Sequence, residues 1–304
     1  MPCPIRKRFS RAGASANVKR GRGYVGNREV QLIIDGHAHA AGSLADADGI
    51  IAHLDELGVD RIVLTPGLGE ADRDRRMPSL AGAFQNADVM LAVNKVIRRV
   101  AGRRAGDLSQ RNERVWSLRQ QYPDRIEQFY WADPGADDFL EELASKHQAW
   151  GFKGIKLHQP IDRFRCDAPA LLSMVEFAGE RGLPVFVHLY SRQEARRLAE
   201  LVMEFPRTVF IVAHLIGLEL LEGLPRGTEN IYFDVSPPQL VSERRVLKAI
   251  ERFRAARVVM GSDSPYGRGN LELALARVRE LDFPESQLSL MLGTNMERLL
   301  EQAG

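Results

Sequence analysis

The densest metal-ligand chemistry in the chain lies in Asp35-Gly36-His37-Ala38-His39-Ala40, directly after the apolar run Gln31-Leu-Ile-Ile. Side chains alternate faces along a β-strand, so Asp35, His37 and His39 are expected to point the same way. Same-face neighbours lie about 6.5–7 Å apart. At a strand end, two imidazoles at that spacing can close on one ion through metal–nitrogen bonds of about 2.0–2.1 Å, which suit zinc and its neighbours. Other polar residues also terminate apolar runs. His158 closes Lys153-Gly-Ile-Lys-Leu, His188 closes Pro184-Val-Phe-Val, His214 closes Val209-Phe-Ile-Val-Ala, and Asp263 follows Val258-Val-Met-Gly-Ser. Of the seven histidines, only His53 and His147 fall on expected helices instead.

These runs belong to a regular alternation of short strands and amphipathic helices. Strands are expected at 31–35, 60–65, 126–131, 153–158, 184–188, 208–214, 230–235 and 257–262. Most are continuously apolar, as parallel strands covered on both faces are. Helices are expected at 46–57, 137–149, 167–181, 192–204, 241–254 and 269–281. Asp137 or Asp138, Asp167 and Ser242 are suited to their first turns, and Gly58 and Gly182 to their ends. Eight such units close as an α/β fold, a (β/α)8 TIM barrel, whose reacting end is the C-terminal ends of its strands. His37, His39, His188, His214 and Asp263 then arrive at one mouth. Between strands two and three the connection, 66–125, is far longer than an ordinary crossover. It reads as a polar loop followed by one or two helices over 84–121, a helical insertion of the kind that covers a barrel mouth.

Composition sets the boundaries of the fold and of its partners. The chain has 304 residues, 44% hydrophobic and 27% charged, enough for a large core in one barrel domain over 31–304. Its net charge of +2 conceals two halves. Residues 1–30 hold eight of the 42 Lys and Arg and one of the 40 acids, which leaves a net charge of −5 for 31–304. The first thirty residues read as a basic, disordered arm without an apolar signal region. Their Gly21-Arg-Gly23-Tyr-Val-Gly26 neither follows a strand nor opens a helix, so it is not expected to bind a dinucleotide. An acidic body argues against a nucleic-acid surface. No apolar run is long enough to span a membrane. Two cysteines, Cys3 and Cys166, form no framework, which fits a reducing, cytoplasmic setting. A small-molecule substrate is the expected partner, with homo-oligomerisation a generic expectation for a barrel enzyme.

Taken in order, Asp35-Gly-His37-Ala-His39, Gly154-Ile-Lys156-Leu-His158, His188, His214, Gly261-Ser-Asp263-Ser-Pro265 and the terminal Gly293-Thr-Asn295-Met-Glu-Arg-Leu-Leu resemble the amidohydrolase superfamily. The resemblance is narrower to its amidohydrolase-related branch, which includes aminocarboxymuconate-semialdehyde decarboxylase and several lactone and amide hydrolases. It implies that His37, His39, His188 and Asp263 hold one divalent metal, zinc or alternatively manganese. It further implies that His214 polarises substrate or assists a metal-activated water, with Asp263 as general base as well as ligand. Lys156 has two readings under the resemblance. It contacts a substrate carboxylate or oxyanion in a one-metal site, or it is carbamylated and bridges a second metal held by His188 and His214. The one-metal reading is preferred. Lys156, His158, Arg163 and Tyr190 are expected to contact substrate, with Arg165 and, in the long loop, Arg73, Arg75 and Arg76 as further anion partners. Asp35 is equally a candidate acceptor for one imidazole or a structural residue, and either Tyr130 or Trp131 is expected to face the pocket. The implied activity is hydrolysis of a lactone, amide or similar carbonyl of a small carboxylate-bearing compound. Non-oxidative decarboxylation on the same scaffold is the alternative, and a metal-binding barrel without activity is the lesser one.

Overall fold

A computed structural model describes residues 31–67, 78–100 and 108–303. The basic arm, its glycine motif and Arg73, Arg75 and Arg76 lie outside them. Eight parallel strands follow one another around the sheet in chain order: β1 (Ile34–Ala40), β2 (Arg61–Pro66), β3 (Ile126–Trp131), β4 (Gly154–His158), β5 (Val185–His188), β6 (Phe210–Val212), β7 (Ile231–Asp234) and β8 (Val258–Val259). The ring is closed by the segment after β8. Gly36 N–H donates to Met260 O (3.0 Å), Asp263 N–H to His37 O (2.8 Å) and His39 N–H to Ser264 O (2.8 Å), and Ala38 bridges Ser264. The architecture is a (β/α)8 barrel.

Helices cover the outside. The principal ones are α1 (Ala47–Leu57), α3 (Leu108–Gln121), α4 (Phe139–Trp150), α6 (Pro169–Glu180), α7 (Arg192–Glu204), α9 (Glu243–Phe253) and α10 (Asn270–Glu280). Local chemistry sets their ends. Asp46 and Ser242 accept the backbone N–H of Gly49 and Arg245, and Ser191 does the same for Glu194. Such caps contribute about 1 kcal/mol each. Gly58 ends α1 in the left-handed conformation (φ 66°). Asp138 sits at the start of α4 without a side-chain cap bond. Asp167 does not cap α6, which begins after Ala168; its carboxylate pairs with Arg165 and Arg197 instead.

Two layers of apolar packing result. The larger lies between sheet and helices, with Leu54, Leu64, Leu143, Ile155, Val212 and Phe233 among its buried members. The smaller fills the lower barrel interior: Ile34, Val63, Phe129, Phe186, Ile211, Tyr232 and Val259, plugged from below by Met296, Leu299 and Leu300 of α12 (Asn295–Gln302).

Strand one differs from the sequence expectation. It runs from Ile34 to Ala40 and so includes both histidines, and its pairing with β2 slips between Asp35 and Ala38. A bulge breaks strict alternation, so Ile34 enters the floor cluster while His37 and His39, three and five residues on, face the mouth. The long connection between β2 and β3 carries α2 (Met90–Val100) ahead of α3. Its described part is tied across the loops of the mouth. Leu80 and Ala81 N–H donate to Gln239 O, Asp88 accepts Gly217 N–H, and Asn94 Nδ2 donates to Leu189 O and Tyr190 O. No described helix is long and apolar enough to cross a membrane.

Candidate metal centre at the barrel mouth

His37, His39 and Asp263 bring one ligand atom each to within 4.8 Å of one another, and all three are buried. Asp263 Oδ1 lies 3.3 Å from His39 Nε2 and 3.7 Å from His37 Nε2. Two ligand atoms held tetrahedrally about 2.1 Å from one ion would be about 3.4 Å apart, so this spacing fits a shared divalent cation. Proton placement fits as well. His39 Nδ1 is 2.9 Å from Pro66 O, which can only accept, and 2.9 Å from Thr65 Oγ1. His37 Nδ1 is 3.2 Å from Asp234 Oδ2 and 3.1 Å from Ser236 Oγ. Both imidazoles therefore donate from Nδ1, and their Nε2 lone pairs turn towards Asp263. Such outer partners fix the tautomer of a metal-ligating histidine.

A second set, His37, His214 and Asp234, also lies within 4.8 Å. It shares His37 and is already hydrogen-bonded internally. Asp234 Oδ2 accepts Ser236 Oγ–H (2.7 Å), His214 N–H (3.1 Å) and the His37 imidazole. His214 Nδ1 donates to Ser236 O at 2.8 Å, which leaves its Nε2 basic. These contacts describe a support for the first set; a carbamylated Lys156 with His188 and His214 would require a different one.

Lys156 is fully buried, with Nζ 3.0 Å from His37 Nε2 and 4.2 Å above the Phe186 ring. Burial brings its pKa down to about 8, against the pull of the Asp263 and Asp234 charges. His37 is held well below the ordinary imidazole range by burial and then by Lys156. Asp263 moves the other way. Burial raises it, but the His214, His39 and His37 imidazoles outweigh burial and bring it down to about 2. Two of these mouth residues, His214 (φ 58°) and Asp263 (φ 59°), occupy the left-handed region that non-glycine residues rarely adopt, a strain of order 1–3 kcal/mol each. Hydrogen bonds hold them there: His214 N–H to Asp234, and Asp263 N–H to His37 O.

A family model of the amidohydrolases matches residues 34–302. The chain belongs to the amidohydrolase family. It is a metal-dependent enzyme of that family, and its His37, His39 and Asp263 have the spacing of metal ligands. Among curated proteins none matches its sequence. Solved structures share the fold. A probable 2-pyrone-4,6-dicarboxylic acid hydrolase from Acinetobacter baumannii with citric acid bound is 16% identical, with a TM-score of 0.62 over 88% of this chain and 99% of that one. A 2,6-dihydroxybenzoate decarboxylase from Rhizobium is 18% identical, at 0.62 over 90% and 100%. A dihydroxybenzoic acid decarboxylase from Polaromonas sp. JS666, with bound manganese and the inhibitor 2-nitroresorcinol, is 15% identical, at 0.63 over 89% and 97%.

Several expectations need correction in this amidohydrolase. His188, the fourth ligand of the resemblance, stands at the same mouth beside the His37, His39 and Asp263 group. Its Nε2 lies 2.6 Å from Asn94 Oδ1, and its ring packs 4.2 Å from that of His158 and 4.8 Å from that of His214. Asp35 is not an imidazole acceptor. It accepts from Ser262 N–H (2.9 Å), Ser262 Oγ–H (2.6 Å) and His37 N–H (3.2 Å), which pins β1 to the end of β8. The bulge is the reason: it removes Asp35 from the facing of the two histidines. Asp234 does the work expected of Asp35. Arg163, at the end of the short helix α5 (Gln159–Asp162), is exposed, and so is Arg165, paired with Asp167. Tyr190 is half-buried beneath the Arg98 guanidinium, 4.2 Å from its ring centroid. His158 lies at the mouth, stacked on Trp131 at 5.3 Å, with Nδ1 buried and unpartnered. Trp131 Nε1 donates to Asp162 Oδ2 (2.8 Å), whereas Tyr130 turns outwards to Phe152 and Glu142. Asp234 could have been found, because it closes Ile231-Tyr-Phe as His188 closes its own run. Asn94 and Ser236 carry no such signal.

Proposed function

We propose that this amidohydrolase hydrolyses a lactone, amide or similar carbonyl group of a small, carboxylate-bearing compound. The observation that carries the reading is Asp263, an anionic carboxylate aimed between two imidazole lone pairs beside a buried lysine. His37, His39 and Asp263 would hold the divalent ion, which when bound supplies Lewis acidity and an activated water. Asp263 takes a proton from the attacking water and returns it to the departing oxygen or nitrogen. The basic Nε2 of His214 accepts a hydrogen bond from the same water or orients it. Lys156, charged below about pH 8, pairs with the developing oxyanion or a substrate carboxylate. Trp131 and His158 form a flat wall beside it. A hydrolase among the structural neighbours supports this reading, and so does the placing of the Asp263 carboxylate between His37 and His39.

Decarboxylation is the second reading, favoured by the decarboxylases among the neighbours. Purified chain loaded with zinc or manganese and offered lactones and aromatic carboxylates separates the two. Ring opening without gas release supports hydrolysis. Carbon dioxide release with no ring opening replaces it with decarboxylation. Zinc or manganese content near one per chain supports the one-metal centre, and two per chain would overturn it.

A further inference from the structure

The chain reverses as it leaves β6, and only one glycine serves the reversal. His214 (φ 58°), Leu215 (φ 53°) and Gly217 (φ 74°) all occupy the left-handed region. Glycine enters it freely, but two consecutive residues with a Cβ stay there only when other contacts hold them. His214 is held from β7 and the loop after it, by Asp234 and Ser236 O. Leu215 and Gly217 are held from elsewhere. Arg245 of α9 is 2% exposed, and its Nη2 donates to Leu215 O at 2.7 Å. Its Nε and Nη2 also reach the two carboxylate oxygens of Glu219, each at 3.2 Å. Asp88, from the connection between β2 and β3, completes the ring. Its Oδ2 accepts Gly217 N–H (2.7 Å) and stands 3.4 Å from Arg245 Nη2. The same stretch of the connection is fastened to the start of α9, where Ser242 Oγ donates to Gln85 O (2.6 Å).

We propose that Arg245 is a positioning residue: together with Asp88 it clamps the turn after β6 in its left-handed form and so sets where the His214 side chain stands at the mouth. An apolar side chain would fill the same volume, but it would leave Leu215 O buried without a donor. A planar fork is needed as well. One guanidinium serves a carbonyl and both oxygens of a carboxylate at once, which an ammonium on a flexible stem does not. Releasing Leu215 O lets the turn relax, and His214, the residue before it, moves with the turn. A displacement of about 1 Å in a reacting group costs about 10²-fold in rate, so a side chain on an outer helix governs turnover. Through Asp88 the insertion takes part in the clamp, since it supplies the acceptor for Gly217 N–H.

The effect on turnover rests on the hydrolase reading, whereas the clamp itself is tested without substrate. Crystal structures of the zinc-loaded full chain read the turn directly. In the wild type, His214 and Leu215 are expected in the left-handed region with Arg245 on Leu215 O. In Arg245→Met, Leu215 is expected to leave that region and the His214 ring to move by about 1 Å, with zinc content unchanged. Arg245→Lys keeps the charge and loses the fork, and it is expected to show a smaller shift in the same sense. On whichever lactone or aromatic carboxylate the wild type turns over, kcat is expected to fall about 10–100-fold in Arg245→Met and less in Arg245→Lys, with KM nearly unchanged. A merely structural Arg245 would lower the melting temperature of both variants and leave kcat per folded molecule at the wild-type value. That result overturns the proposal. So does an unmoved turn in Arg245→Met or, should that variant not fold, in Arg245→Lys. A wild type that turns over none of these compounds removes the hydrolase reading, and the geometry of the turn still decides the clamp.

Discussion

The two ends of the barrel interior are built from opposite materials. At the floor, Ile34, Val63, Phe129, Ile211 and Val259 meet the α12 plug of Met296, Leu299 and Leu300. At the mouth, towards the C-terminal ends of the strands, the interior holds Lys156, His158, His188, His214, Asp234 and Asp263, all buried. The floor needs only volume and apolarity. Each group at the mouth needs a named partner, because a buried polar group without one costs about 1–3 kcal/mol. Asp234 shows the density of that partnering, since one carboxylate serves His37, His214 and Ser236. The floor should therefore govern stability and the mouth reactivity.

Variants that separate the two ends test this division. The largest effect is expected from Asp263→Asn, which keeps shape and removes the base. Turnover should fall by about 10²–10⁴-fold with the melting temperature nearly unchanged; full turnover would remove Asp263 from the chemistry. Asp234→Asn comes next. It weakens the anchor of His37 and should loosen metal binding by about 10–100-fold, read by competition with a chelator. Affinity equal to the wild type would make Asp234 a purely structural residue. Leu299→Ala acts on the other end. It should cost about 2–5 kcal/mol in denaturant unfolding while each folded molecule turns over normally. A comparable loss of turnover per folded molecule would show that the two ends are coupled.

The smallest effect is a slope in pH. Burial raises the Asp162 carboxyl to about 7, above its ordinary value of 3.8. Between these values the native chain keeps a proton that the unfolded chain has lost. Stability should therefore fall as pH rises from about 4 to 7 and level off above. Asp35, raised to about 7 chiefly by burial, contributes in the same sense. Asp162→Asn should remove part of the slope in urea titrations across that range. An identical slope would mean that Asp162 is ionised in the folded chain.

Strand-end histidines were readable from sequence because parallel strands are continuously apolar and a polar terminus stands out. His37, His39, His158, His188, His214 and Asp263 all carry that mark. Strand and helix positions were legible for the same periodic reason, with β6 ending early where His214 leaves the ladder for Asp234. What escaped was the pairing. The bulge in β1 cannot be read from alternation, so Asp35 was placed on the wrong face. The Asn94–His188 bond joins residues 94 positions apart, one of them in a connection whose helices follow no strand-end pattern. Ser236 becomes visible only once β7 lies beside β6.

The seam between the first strand and the end of the last carries a further consequence. Asp263 reaches the imidazoles because its own N–H, and that of Ser262, are bonded to His37 O, with Ser262 held by Asp35. Gly261 permits the approach, since a Cβ there would stand 2.5 Å from Asp234 Oδ1 and 2.8 Å from His37 Cβ. Ring closure and assembly of the donor set are thus the same event. Without the seam the imidazoles would stand with no carboxylate between them, so opening this one seam is enough to take the donor set apart while the other strand pairings remain.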